Sequence, residues 1–213
     1  SDKSSPFLKT IRPDLDAMTG SPLAEKFRIT GISPDAEKIF PWTNELSPVI
    51  DPGSFSFSHL SQPFLFLRCR PGKVKDVREK LVVAGIEFRE SGDCLILRNA
   101  TKIEDIVQLN HEAVIQDQSS QEVRELMAIV KTGTGGRHIK VWDCCAASGG
   151  KSLLAKDVFG NIGLTVSDIR KSILVNLDKR LMQAGMGFFK IIQLDLLKPV
   201  TELPRNYFDL VIA

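Results

Sequence analysis

The run Asp143-Cys144-Cys145-Ala146-Ala147-Ser148-Gly149-Gly150-Lys151-Ser152 has the composition of a loop whose backbone a ligand can touch. Small side chains permit close approach, and a helix opening at Gly150 would present unpaired N–H groups and the positive end of its dipole. A carboxylate, Asp168, follows nineteen residues after Gly149. That is close to the offset of about 20 residues at which an acid accepts the hydroxyls of a ribose. Asp195 stands in the matching place one strand later. Singly, each has a plainer role: Asp168 could cap the next helix, Asp195 could be a loop carboxylate, and Gly149-Gly150 could be a tight turn. Together, at the ends of neighbouring strands, they describe a nucleotide-like site. Its candidate residues are Cys145, Ala146, Ala147, Ser148, Gly149, Gly150, Lys151, Asp168 and Asp195.

The elements that would position these residues alternate from 116 onward. Strands are expected at 139–143, 164–168, 188–194 and 208–213, with helices at 150–158 and 171–184, the latter stopped by Gly185. Ser119 and Glu122 have the spacing of a capping box, predicting a helix from about 119 to 130 that ends before Thr132-Gly133-Thr134-Gly135-Gly136. This alternation is the pattern of a parallel, doubly wound α/β sheet, which binds ligands beyond the carboxyl ends of its strands.

Residues 63–115 read as a small α+β unit. Strand signals at 64–70, 86–89, 94–97 and 112–116 surround a helix at 73–84. Alternation in the first strand puts Phe64, Phe66, Arg68 and Arg70 on one face, and Lys73 and Lys75 follow. Aromatic and basic residues on an open sheet face suit single-stranded RNA, by stacking and by neutralising phosphate. Arg68, Arg70, Lys73 and Lys75 are therefore candidate RNA contacts. The opposing expectation is that the two phenylalanines are covered and only the basic residues are exposed. Residues 1–62 are rich in proline and predict an irregular lead-in without long helices, apart from a turn near 35–40 after Ser33-Pro34.

Composition narrows the classes. With 213 residues, 43% hydrophobic and 25% charged, the chain is neither disordered nor collagen-like. A formal net charge of +2 favours no partner, and no apolar run approaches the ~18 residues of a membrane span. The start at 1–5 is polar with no apolar stretch after it, unlike a signal peptide. The four cysteines, Cys69, Cys94, Cys144 and Cys145, and the three histidines show no disulfide framework and no metal-ligand spacing. No metal site is expected, and a reducing, cytoplasmic location is.

The loop resembles the S-adenosylmethionine loop of the Sun-type (nucleolar-protein/Fmu) RNA cytosine-5 methyltransferases, Cys-Ala-Ala-Pro-Gly-Gly-Lys-Thr/Ser. Upstream, Ile115-Gln116-Asp117-Gln118-Ser119-Ser120-Gln121 is similar to that family's Val-Gln-Asp-Glu-Ala-Ser-Gln segment. Downstream, Ser167-Asp168-Ile169 and Leu194-Asp195 resemble its ribose-binding and adenine-side carboxylates. Tyr207 through Ala213 resembles the strand leading to its Asp-x-Pro-Cys motif. Two positions depart: Ser148 replaces the usual Pro, which should loosen the turn, and Ile173 stands where many members carry Arg.

The resemblance implies a partial Rossmann-like class I methyltransferase domain, preceded by a small RNA-recognition-like domain. It implies S-adenosylmethionine as cofactor and RNA as partner, ribosomal RNA foremost and transfer RNA as the rival. In the family one Cys thiolate attacks carbon 6 of cytosine and a second assists release, which splits a hard step into two easier ones. The motifs that carry those cysteines would lie beyond Ala213. The chain is thus expected to be the N-terminal part of a longer enzyme, three strands and the opening of a fourth from a seven-stranded sheet. By itself it should bind cofactor weakly and have no catalytic residue. Cys144 and Cys145 are expected to pack beside the cofactor instead. Two other readings stay open. Gly150-Lys151-Ser152 matches the tail of a phosphate-loop motif, although Cys145 occupies the place of its first glycine. The chain could also be a non-catalytic RNA-binding protein with half of a methyltransferase fold.

Overall fold

Seven prolines between Pro6 and Pro52 cut the first part of the chain into short pieces. In the computed structural model, which describes residues 6–18 and 20–213, these pieces are five helices and a 3₁₀ turn. They are α1 (Pro6–Ile11), α2 (Pro13–Asp16), α3 (Leu23–Thr30), α4 (Ala36–Ile39), the turn Thr43–Glu45 and α5 (Pro52–Ser58). The polar start read at 1–5 lies outside the described residues. Local caps hold the short helices. Asp35 accepts from the Glu37 N–H at 3.1 Å, and Asp51 accepts from the Ser54 N–H at 2.8 Å. Phe40 packs edge-on against Phe55 and stacks with His59. Ser56 is the only buried residue among those described up to Phe64, so these pieces enclose no apolar core.

The chain divides into two compact units. One runs to Phe64 and includes Asn99–Thr101; the other comprises Leu65–Arg98 and Lys102–Ala213. The division expected near residue 115 does not separate compact units, because both sheets belong to the second.

The first of those sheets is antiparallel, in the order β2-β3-β1-β4, with β1 (Leu65–Cys69), β2 (Phe88–Ser91), β3 (Cys94–Leu97) and β4 (Ala113–Ile115). The helix α6 (Val74–Val83) buries Val77 and Leu81 against Leu67, Cys69, Leu95 and Leu97. Neighbouring residues of β4 then go opposite ways. Ala113 joins this small core, while Val114 joins the larger core of the second sheet. The part of the first strand read as open that carries Arg68 is therefore covered.

The second sheet is parallel, in the order β7-β6-β5-β8, built from β5 (Ile139–Asp143), β6 (Ile162–Asp168), β7 (Phe189–Gln193) and β8 (Leu210–Ile212). The helices α7 (Gln118–Thr134), α8 (Gly150–Phe159) and α9 (Lys171–Gln183) pack with it through Met127, Leu153, Leu154, Leu174, Leu177 and Leu181. The order reverses at β5, whose neighbours are β6 on one side and β8 on the other. Open α/β sheets bind ligands beyond the carboxyl ends of the strands at such a reversal.

One helix start differs from the sequence expectation. Helix α7 begins at Gln118 behind Asp117, so Ser119 lies in its first turn and no side chain caps it. Two side-chain bonds span this start instead. The Gln121 amide donates to the Gln116 carbonyl at 2.8 Å, and the Gln116 amide donates to the Ser120 carbonyl. The helix also continues through Gly133 and ends on Gly135, which takes the left-handed φ of 60° that terminates it. Among the described residues no helix is long and apolar enough to cross a membrane.

Candidate functional site

Strand β5 delivers Asp143 to the sheet's carboxyl edge, buried at 2% exposure. Burial raises its pKa, while the Ser152 hydroxyl donates to it at 2.6 Å. Residues 144–149 then turn the chain into α8. The Cys144 N–H donates to Ile212 and the Ala146 N–H to Ser167, which ties the loop to the ends of β8 and β6, and the Gly149 N–H donates back to Ala146 at 2.7 Å and closes the turn.

Two positions in that loop have left-handed backbone. Gly149 sits at φ 81°, and a Cβ there would collide with Leu177, so only glycine fits. Ala147 sits at φ 45°, a conformation that costs an alanine about 1–2 kcal/mol. The strain turns the Ala147 N–H toward Asp168, whose Oδ2 accepts it at 3.1 Å. Asp168 also receives the N–H of Arg170 and its guanidinium, and that guanidinium draws its pKa down to about 2. It is ionised at any physiological pH.

The loop borders a pocket of about 280 Å³ lined by Ile115, Gln116, Asp117, Ser120, Asp143, Cys145, Ala146, Ala147, Ser148, Gly150 and Lys151. The first turn of α8 opens beside it, so the positive helix end meets small side chains there. Of the expected residues, 145–148, Gly150 and Lys151 line this pocket. Gly149 shapes its turn, and Asp168 does not line the pocket but meets the loop through the Ala147 N–H. Asp195 follows β7, and the Leu194 N–H donates to the Asp168 carbonyl, bringing the two strand ends together. The Asp195 carboxylate itself turns onto its own loop, accepting from the Leu197 N–H at 3.1 Å with Lys198 at 3.6 Å. A larger cavity of about 680 Å³ lies at the opposite, amino end of the strands, beside His138, Gly163 and Phe189. That is the wrong end for a ligand of an open parallel sheet.

Arg180 was not legible as a site residue. From α9 it donates to the Ser148 carbonyl at 2.8 Å, to Asn110 Oδ1 at 2.7 Å and to the Ile115 carbonyl at 3.2 Å. It thereby holds the loop at the residue that replaces the family's proline. Its sequence signal, one basic residue on a helix, does not distinguish it from any surface arginine.

Two of the four expected RNA contacts are corrected. Arg68 is fully buried, and Arg70 is nearly so at 12% side-chain exposure. Arg68 Nη1 and Arg70 Nη2 both pair with Asp157 of α8, whose side chain is 3% exposed, and Arg68 Nε donates to Gln116. Arg70 Nη1 also donates to the carbonyls of Asn110 and Ala184. These guanidinium groups are taken up in holding the small sheet to α8 and offer little or no surface for the RNA contact expected of them. The opposing expectation holds only in part: Phe66 is partly buried, but Phe64 is 49% exposed while the arginines are covered. Lys73 and Lys75 do reach solvent, each in a loose ion pair on its own helix turn. Among the cysteines, Cys69, Cys94 and Cys144 are buried, and burial pushes Cys69 up to about 12. Cys145 is exposed on the loop.

No family model matches the chain, and no curated protein matches it by sequence. Solved structures do match in fold. A protein named PH0851 is 16% identical with a TM-score of 0.67, over 96% of this chain and 49% of its own. A methyltransferase homolog from Pyrococcus horikoshii is 16% identical with a TM-score of 0.60, over 78% of this chain and 58% of its own. NSun6 from Pyrococcus horikoshii, solved with SFG, is 11% identical with a TM-score of 0.53, over 75% and 64%. The chain thus spans between about half and two thirds of the length of these neighbours. At such identities the likeness is one of fold, and the fold is that of an α/β class I methyltransferase domain with part of its parallel sheet.

Proposed function

We propose that this chain supplies the S-adenosylmethionine-binding part of an RNA cytosine-5 methyltransferase, with ribosomal RNA as the first candidate substrate. The observation that carries this reading is the joining of Asp168, at the end of β6, to the Ala147 N–H of the loop after β5, beside the opening of α8. The residues fit the cofactor. Asp168 is an ionised acceptor for ribose hydroxyls, the small side chains of 145–148 let an amino-acid moiety lie against the backbone, and the N-terminus of α8 suits its carboxylate. When bound, the cofactor supplies an electrophilic methyl group. The part of this chain is to hold and orient it and to exclude water from that end of the crevice.

The four cysteines leave no candidate for the attacking thiolate. Three are buried, and Cys145 belongs to the cofactor loop. A phosphate-loop site is less well supported. Lys151 Nζ reaches the Ala213 carbonyl at 2.7 Å, and the Ser152 hydroxyl is spent on buried Asp143 and not free for a magnesium ion.

The test is methyl transfer by the full-length gene product from labelled S-adenosylmethionine to ribosomal and transfer RNA, with the modified base identified by nuclease digestion and chromatography. Label in 5-methylcytosine supports the proposal. Label in another base refutes the cytosine-5 assignment, and no label in either RNA refutes the activity.

A further inference from the structure

An ionised carboxylate offers about four lone-pair positions to hydrogen-bond donors. Those of Asp168 are all taken. Oδ1 accepts the Arg170 N–H and Arg170 Nε, each at 3.0 Å, while Oδ2 accepts the Ala147 N–H at 3.1 Å and Arg170 Nη2 at 3.0 Å. The two backbone donors are fixed, one by the turn after β6 and the other by the strained loop at Ala147. The guanidinium has no second side-chain anchor. Its side chain is 58% exposed, and both of its side-chain hydrogen bonds go to Asp168. A ribose diol brings two O–H donors to one carboxylate and finds no free lone pair while Arg170 is in place.

We propose that Arg170 is a displaceable latch on the ribose carboxylate, occupying the two acceptor positions that a nucleoside's hydroxyls need, so that it sets the affinity of the site. The inference rests on the reading that Asp168 receives a ribose. The reverse arrangement, with arginine as a ligand contact, would leave the guanidinium aimed into the pocket; here it lies flat against the carboxylate instead. Because the ion pair is half-exposed, salt screens it. The latch therefore weakens as ionic strength rises.

The test measures binding of adenosine and of S-adenosylhomocysteine by calorimetry to wild-type protein and to Arg170→Ala and Arg170→Lys, at low salt and near 0.5 M salt. Adenosine carries no charge of its own, so its salt response reports the protein. At low salt Arg170→Ala is expected to bind both ligands about fivefold more tightly, equivalent to about 1 kcal/mol. Arg170→Lys, which keeps the charge but loses the two-pronged geometry, is expected to fall between. The gap between wild type and Arg170→Ala narrows at high salt. Equal or weaker binding by a folded Arg170→Ala overturns the latch and leaves the cofactor site standing. Failure of wild type and both variants to bind either ligand overturns the site itself, and the latch with it.

Discussion

Asp157 lies on α8 with 3% of its side chain exposed and receives Arg68 and Arg70, of which Arg68 is wholly buried. Asp168 ends β6 with 6% of its side chain exposed and receives Arg170, which is 58% exposed. The two carboxylates are alike in burial and in the type of partner. Their arginines differ in freedom. Arg68 and Arg70 are also bonded to Gln116, Asn110 and Ala184, so leaving Asp157 would break several bonds inside the protein. Arg170 would break only its pair with Asp168 and move into water. The difference separates an ion cluster that holds two sheets together from one that can yield its acceptor to a ligand. A buried carboxylate next to arginine is thus not a functional site on that ground alone; the mobility of its partner decides.

The largest effect should come from breaking the inner cluster. Asp157→Ala leaves the Arg68 charge buried without its counter-ion, and one nitrogen of that guanidinium, Nη2, already lacks a protein partner. We expect a loss of about 3–5 kcal/mol in urea unfolding. A loss below 1 kcal/mol would mean that water reaches Arg68 and that the two clusters do not differ in kind. Gly149→Ala should come next. It forces a Cβ into Leu177 at a left-handed φ and should cost roughly 1–3 kcal/mol, with nucleoside binding lost by calorimetry. Retention of binding would show that the turn tolerates a shift the packing does not suggest.

Asp168→Asn should have the smallest effect on stability, under about 1 kcal/mol, because its arginine partner is screened by solvent. Its pH dependence sharpens the contrast. The folded pKa of Asp168, about 2, lies below the ordinary value of 3.8. Its contribution is therefore fully present above about pH 4 and disappears as the pH falls through about 2. The stability gap between wild type and Asp168→Asn should close over that window in acid unfolding. A gap that stays constant would assign the effect to packing.

Much of the site was legible because it is local. Strand 139–143, the glycine turn and the carboxylate at 168 are set by short-range pattern, and β3 and β5 have the bounds that their apolar runs predict. What the sequence pattern misplaced was long-range. Arg68 and Arg70 sit at alternate positions of a basic-aromatic strand, which fits a nucleic-acid face equally well. Their partner Asp157 is 89 residues from Arg68, and no spacing announces it. Arg180 meets Ser148 across 32 residues in the same way. The capping box at Ser119 and Glu122 is a local miss: the helix starts at Gln118 behind Asp117, and side-chain bonds of Gln116 and Gln121 span its first turn where the cap was expected. Periodicity assigns a face to each residue and does not say what covers that face.

The central claim is that the crevice at the loop and Asp168 holds S-adenosylmethionine. Titrating wild-type protein and Asp168→Ala with S-adenosylhomocysteine and with ATP–magnesium tests it most directly. Wild type should bind S-adenosylhomocysteine in preference to ATP–magnesium. Asp168→Ala should lose roughly 30-fold or more of that affinity, about 2 kcal/mol for two charge-assisted hydrogen bonds less their exchange with water. Preference for ATP–magnesium, or S-adenosylhomocysteine binding that Asp168→Ala leaves unchanged, would contradict the account.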